Sequence, residues 1–246
     1  MTAKAAASHL PVLLLIPGML NSARIWSSVV PLLQGVADIR IADVTQQTSI
    51  AQMACDAWSL VEHVPVSQRL VVCGFSMGGY VALDLVGKNL IGKRPDSSWA
   101  IGLLNTSGAA ETADGMLARE KTILAIERDF ERVIKGIATF GMCKDSHANT
   151  ALLEEMLAVM REAGAQAAVR QLRAIMSRDD QRALLGQIQA EALVISTKDD
   201  LVVPPAASQD LAANIPSGRL EWIEAAGHMT PLEQPLRLAN LLKTLL

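Results

Sequence analysis

Apolar residues follow two rhythms along this chain. Short, mostly apolar runs occur at 12–16, 39–42, 70–73, 100–104, 192–196 and 220–223, the second weaker than the others. An unbroken run of that length suits a strand covered on both faces, whereas strict alternation would mark a half-exposed one. Between the runs, apolar positions recur every three or four residues, the spacing of one helix face. In 49–64 they are Ile50, Met53, Ala54, Ala57, Val61 and Val64, with Ser49 placed to cap the helix. In 236–246 they are Leu238, Leu241, Leu242 and Leu245. Strand–helix alternation predicts an α/β fold, a mostly parallel sheet of about six strands flanked by helices.

The alternation stops between residues 107 and 187. Helical stripes persist there, with Leu152, Leu153, Met156, Leu157 and Met160 in one and Val169, Leu172, Ile175 and Met176 in another, but no strand pattern intervenes. The expected division is therefore an α/β core from residues 1–106 and 188–246, with a helical cap of residues 107–187 inserted between sheet strands. Met116, Met142, Met156, Met160 and Met176 fall in the cap. Their unbranched side chains suit irregular apolar ligands, so at least one of them is expected to line a pocket.

Composition narrows the class. Half of the 246 residues are hydrophobic and 19% are charged, enough for a full core, but only 3% are aromatic, so aliphatic residues and methionine must build it. The formal charge of −3 speaks against a nucleic-acid partner. Residues 107–187 carry nearly equal numbers of basic and acidic side chains, with no bias toward an acidic partner. Cys55, Cys73 and Cys143 have neither CxxC nor metal-ligand spacing and are expected to be free thiols in a reducing compartment. Near the N-terminus Lys4 precedes Ala5-Ala6-Ala7 and an apolar run that ends at Pro17-Gly18, which reads as a strand and turn rather than a signal peptide. With no run as long as a membrane span, a cytoplasmic protein without a membrane partner is expected. Oligomeric state is left open.

The candidate chemistry begins where the run at 70–73 enters Gly74-Phe75-Ser76-Met77-Gly78-Gly79, followed by an apolar helix from Tyr80 to about residue 86. Strand, G-x-S-x-G, helix is an arrangement that holds a serine on a strained turn with its oxygen clear of the sheet. The glycines keep side chains out of the crowded approach. The following helix directs its N-terminal N–H groups and partial positive charge at the serine.

A serine nucleophile needs a base. Of His9, His63, His147 and His228, only His228 follows the last strand and precedes the last helix, at the sheet edge where ligands gather. An acid that orients the histidine should follow a strand end between serine and histidine. Asp199 and Asp200 both do so. Neighbours in an extended segment point in opposite directions, so only one of them should reach the histidine. Oxyanion stabilisation is expected from the backbone N–H of Met77 and from the loop after the first strand, by the N–H of Met19 with that of Leu20 as the alternative.

Taken together, Leu15-Ile16-Pro17-Gly18, the glycine–serine turn, Asp200-Leu201-Val202-Val203-Pro204 and Gly227-His228-Met229-Thr230-Pro231 resemble the α/β-hydrolase superfamily, in particular its small capped bacterial carboxylesterases, enol-lactonases and C–C hydrolases. The resemblance implies Ser76 as nucleophile, His228 as base and Asp200 as acid, since the family's acid commonly stands at this distance before a proline. It implies cleavage of an ester-type bond in a small molecule, without metal or organic cofactor. Enol-lactone, thioester or C–C cleavage on the same residues are alternatives, and a non-catalytic ligand-binding protein is a third. Pro17-Gly18 stands where many relatives have His-Gly, and, with the first recognisable strand close to the start, the two leading antiparallel strands of larger relatives are not expected.

Overall fold

In the computed structural model, residues 10–246 are described. Lys4, Ala5-Ala6-Ala7 and His9 lie outside them.

Six strands form one sheet: β1 (Val12–Ile16), β2 (Asp38–Ile41), β3 (Leu70–Phe75), β4 (Trp99–Leu104), β5 (Glu191–Ser196) and β6 (Gly218–Trp222). Their spatial order is β2-β1-β3-β4-β5-β6, and every neighbouring pair is parallel. The helices are α1 (Val30–Leu33), α2 (Ile50–Ser59), α3 (Met77–Asn89), α4 (Ala113–Arg128), α5 (Phe130–Gly141), α6 (Thr150–Ala163), α7 (Ala165–Met176), α8 (Arg182–Leu185), α9 (Pro205–Asn214), α10 (Thr230–Glu233) and α11 (Pro235–Lys243).

The continuous apolar runs are explained by cover on both faces. Leu13, Leu15, Val71, Cys73 and Phe75 point into one core, with Leu33 of α1 and Leu238, Leu241 and Leu242 of α11. Val12, Leu14, Ile16, Leu70 and Val72 point into the other, with Met53 of α2 and Val81, Leu85 and Val86 of α3. The period-2 alternation of side chains thus divides the same strand between two apolar layers. The edge strands β2 and β6 are only partly covered, and polar residues break their sequence. That is why their bounds, 39–42 and 220–223 by apolarity, differ by one or two residues from the hydrogen-bonded strands.

Two helices begin or end elsewhere than their apolar stripe. Ser49 caps α2 by accepting a hydrogen bond from Gln52 N–H at 3.2 Å, but the helix closes at Ser59, with Val61 and Val64 buried in the turns beyond. α3 starts at Met77, directly after the serine, and runs on to Asn89. Residues 107–187 contain α4 to α8 and, among the described residues, no strand. No helix of the described residues is long and apolar enough to cross a membrane.

Candidate active site

Ser76 sits between β3 and α3 with φ 53° and ψ −118°, a backbone conformation that a non-glycine residue rarely adopts. The turn is held from both sides. Ser76 N–H donates to Leu104 O at 2.8 Å, and the Thr106 hydroxyl donates to Ser76 O at 2.8 Å. At Gly78 a Cβ would overlap the carbonyl oxygens of Ile16 and Pro17. The loop after β1 and the first turn of α3 approach more closely than any side chain permits.

His228 lies in the loop between β6 and α10. Its Nδ1 is 2.8 Å from Asp200 Oδ2 and its Nε2 is 2.9 Å from Ser76 Oγ. Burial pushes the Asp200 carboxyl up, but the hydrogen bond and charge of His228, with the bonds from Val203 N–H and Asn105, outweigh this and hold it below its ordinary value. The carboxylate is therefore ionised and can only accept. His228 Nδ1 then carries the proton, which leaves Nε2 of the neutral ring free to accept from Ser76 O–H.

Asp200 is buried and its hydrogen bonds are shared between two oxygens. Oδ2 also accepts from Asn105 Nδ2 at 2.8 Å, while Oδ1 accepts from Val202 N–H at 2.8 Å and Val203 N–H at 2.9 Å. Asp199 is exposed, in the wall of a separate cavity of about 880 Å³ with His147 and Cys143. Of the two adjacent aspartates, Asp200 is the one brought to His228. His63 lies beside Arg40 at 2.9 Å and His147 beside Thr139 O at 3.0 Å. Neither lines the cavity that holds Ser76.

That cavity, about 270 Å³, is bounded by Ser76, Met77, His228, Met19 and residues between β4 and β5. Of the five methionines expected to supply a lining residue, Met160 does so; Met142 borders the larger cavity. In the loop after β1, the peptide between Met19 and Leu20 is fixed at both ends. Asn21 Nδ2 donates to Met19 O at 2.7 Å, and Leu20 N–H donates to the buried Gln171 Oε1 at 2.8 Å. This occupies the Leu20 N–H. The N–H groups of Met19 and Met77 have no hydrogen-bond partner among the described residues.

Several positioning residues escape the sequence reading. Asn105 joins Asp200 to the Thr230 hydroxyl, which donates to Asn105 Oδ1 at 2.8 Å. Asn105 also adopts φ 47°, so Leu20, Ser76 and Asn105 are three non-glycine residues at positive φ around one site. Glu233 accepts from Gly227 N–H through one oxygen and from Cys143 N–H through the other, both at 2.8 Å. His228 N–H donates to Gly141 O at 2.7 Å. The position of Asn105, a polar residue directly after a wholly apolar strand, was a usable signal. Nothing local marks Gln171. Among the described residues no cluster of three His, Cys, Asp or Glu could hold a metal ion.

Comparison with known proteins agrees with this architecture. A family description reading "Alpha/beta hydrolase family" matches residues 13–241. The chain belongs to the alpha/beta hydrolase family. This alpha/beta hydrolase is 29% identical over 241 residues to the "Putative carbamate hydrolase RutD" of Pseudomonas savastanoi pv. phaseolicola, covering 92% of this chain and 90% of the relative. It is 26% identical over 246 residues to the pimeloyl-[acyl-carrier protein] methyl ester esterase of Aromatoleum aromaticum, covering 92% and 94%. Among solved structures, the enol-lactonase from Burkholderia xenovorans LB400 superposes with a TM-score of 0.82 at 19% identity, over 96% of this chain and 91% of that one. At that identity the likeness is one of fold.

Proposed function

We propose that this alpha/beta hydrolase cleaves an ester-type bond in a small molecule by nucleophilic catalysis, with Ser76 as nucleophile, His228 as general base and acid, and Asp200 as the acid that orients it. The observation that carries the reading is the continuous hydrogen-bonded chain Asp200–His228–Ser76 opening into a cavity. The relatives' names speak of a carbamate, a methyl ester and an enol-lactone. All three have a carbonyl carbon bearing a heteroatom leaving group, which is the bond class proposed here.

Ser76 Oγ attacks the carbonyl carbon as its proton passes to His228 Nε2. Asp200 stabilises the resulting imidazolium. The negative charge that develops on the carbonyl oxygen is met by the N–H groups of Met77 and Met19, the two donors left free at the cavity floor. A fixed donor of this kind contributes about 3 kcal/mol in well-studied enzymes. The tetrahedral species collapses to an acyl-Ser76, and the alcohol leaves with the proton from His228. Water then gives a proton to His228 and attacks the acyl carbon; collapse returns the proton to Ser76 and releases the acid. The helices of residues 107–187 serve as the cap, closing the cavity against bulk water over a core of residues 1–106 and 188–246.

A fluorophosphonate should label wild-type protein once, at Ser76, and Ser76→Ala should abolish both the labelling and the burst of p-nitrophenol from a p-nitrophenyl ester. Near wild-type turnover by a folded Ser76→Ala protein would falsify the mechanism.

A further inference from the structure

The cavity over Ser76 has a charged wall that the proposed chemistry does not use. Glu111, Arg119 and Arg178 all line it. The Arg178 and Glu111 side chains are 7% and 9% exposed, a largely desolvated pair, and Arg119 is 28% exposed. Glu111 Oε2 accepts from Arg178 Nη1 at 3.1 Å and from Arg119 Nε. Arg178 is anchored further by donation to Ala109 O and Ile175 O, both at 2.9 Å, and its guanidinium carbon lies 4.3 Å from the centroid of the Tyr80 ring. Burial pushes the Glu111 carboxyl up, but the hydrogen bonds and charges of the two arginines outweigh it and keep it below its ordinary value. The carboxylate is therefore ionised, and two guanidinium cations share one counter-charge.

Asp200, the other carboxylate of the site, makes all its hydrogen bonds to His228, Asn105 and the N–H groups of Val202 and Val203, and none to this wall. The wall thus holds one cation in excess. Its unused donors, Arg178 Nη2 and Arg119 Nη1 and Nη2, have no hydrogen-bond partner among the described residues. A cation drawn largely out of bulk water, with free donors lining a cavity, gains from an anionic partner there. A guanidinium fork matches the two oxygens of a carboxylate, and one excess positive charge is balanced by a monoanion. A phosphate dianion would overcompensate it.

Resting on the reading of Ser76 as nucleophile, we infer that the substrate is an ester with a second, free carboxylate, held by Arg119 and Arg178 at the Glu111 wall while its ester carbonyl meets Ser76. Arg178, buried and pinned by Glu111 and two carbonyls, supplies a fixed charge. Arg119, the more exposed of the two, closes on the carboxylate from the α4 side. Met160, Ile137 and Met229 in the remaining wall contact the carbon chain between the two ends.

The test compares monomethyl glutarate and monomethyl adipate with the same methyl esters carrying a terminal carboxamide, which has the same shape without the charge. Wild-type enzyme should favour the carboxylate by about tenfold or more in kcat/KM, mostly through KM, as expected for charge-assisted hydrogen bonds. Arg119→Gln should remove most of that preference, and Arg119→Lys should retain part of it. A wild-type preference at or below one overturns the inference. Binding separates this outcome from failure of the serine reading. By calorimetry, wild-type protein should bind the monoanion glutaramate and not the neutral glutaramide, whether or not Ser76 reacts with a fluorophosphonate. Equal binding of the two, or none of glutaramate, overturns the carboxylate site even if Ser76 is labelled.

Discussion

The loops at the ends of β3, β5 and β6 and the helices between β4 and β5 face the same cavity, but different forces hold them. In the loops the groups that position the site are held by hydrogen bonds. Asp200 accepts four hydrogen bonds, Asn105 links it to Thr230, and Ser76 is fixed through its N–H and its carbonyl. The helices between β4 and β5 rest on the sheet mainly through apolar residues such as Ile126, Ile134, Met156 and Leu172, and carry solvent-exposed ion pairs such as Arg161–Glu131. Exposed pairs of that kind contribute little to stability. A few polar bonds join the helices to the sheet-end loops: Glu233 to Cys143, Gly141 to His228 and, in the loop after β1, Gln171 to Leu20. Ser76, His228 and Asp200 therefore stand on the densely hydrogen-bonded part, and the rest of the cavity wall stands on a part held mainly by apolar packing, with Arg178, pinned by Glu111 and two carbonyls, as its fixed point. Changes in the first should act on kcat, and changes in the second on KM and substrate preference.

The sharpest way to break that division is at the two adjacent aspartates. Asp200→Asn keeps the shape but removes the charge that supports the imidazolium, and kcat should fall on the order of 10⁴, as the equivalent change does in a well-studied protease. Asp199→Asn, at an exposed position, should change kcat less than about twofold. Stopped-flow acylation of both variants decides this; a crippled Asp199→Asn with a mild Asp200→Asn would reverse the roles. The substitution also has a signature in stability. The folded-state pKa of Asp200 is depressed, so its ionisation stabilises the fold above the ordinary carboxylate pKa, and that contribution disappears as pH falls through the lower folded value. Acid unfolding of Asp200→Asn should lack this component.

A smaller effect is expected where the two regions meet. Glu233→Gln keeps one acceptor but presents an NH2 group to either Gly227 N–H or Cys143 N–H. Leaving one of these unsatisfied should cost about 1–3 kcal/mol, and loosening the loop before His228 should lower kcat about tenfold. Thermal melting and steady-state rates measure the two together. A loss of stability with kcat unchanged would mean that the histidine loop holds its geometry without the insertion.

The smallest effect concerns the thiols. Burial pushes the Cys73 thiol up to about 12, Cys143 is buried, and Cys55 is exposed on α2. A chromogenic disulfide at pH 8 should titrate one thiol rapidly in the native protein, with the other two released on denaturation. Fast titration of a second thiol would show that the sheet core or the α5 end opens on the experimental timescale.

The sequence by itself determined the sheet, because residues 12–16, 70–73, 100–104 and 192–196 lie between two apolar layers and so read as unbroken runs, whatever the details of packing. It determined the serine turn too, since strand, glycine–serine turn and helix are consecutive and their constraint is local. His228 was legible by its place between the last strand and the last helix. The choice of Asp200 over Asp199 rested on spacing to Pro204, and only tertiary structure turned one carboxylate inward and the other to solvent. Tertiary structure alone decided that Leu20 N–H is occupied by Gln171, 151 residues away, and that Asn105 supports Asp200 across 95 residues. It also gathered Glu111, Arg119 and Arg178 from a loop, a helix and a second loop into one cavity wall. The physical reason is the same in each case. Local rhythm records which face of an element is buried, whereas a hydrogen bond or ion pair between distant segments exists only once the packed elements bring its partners within about 3 Å.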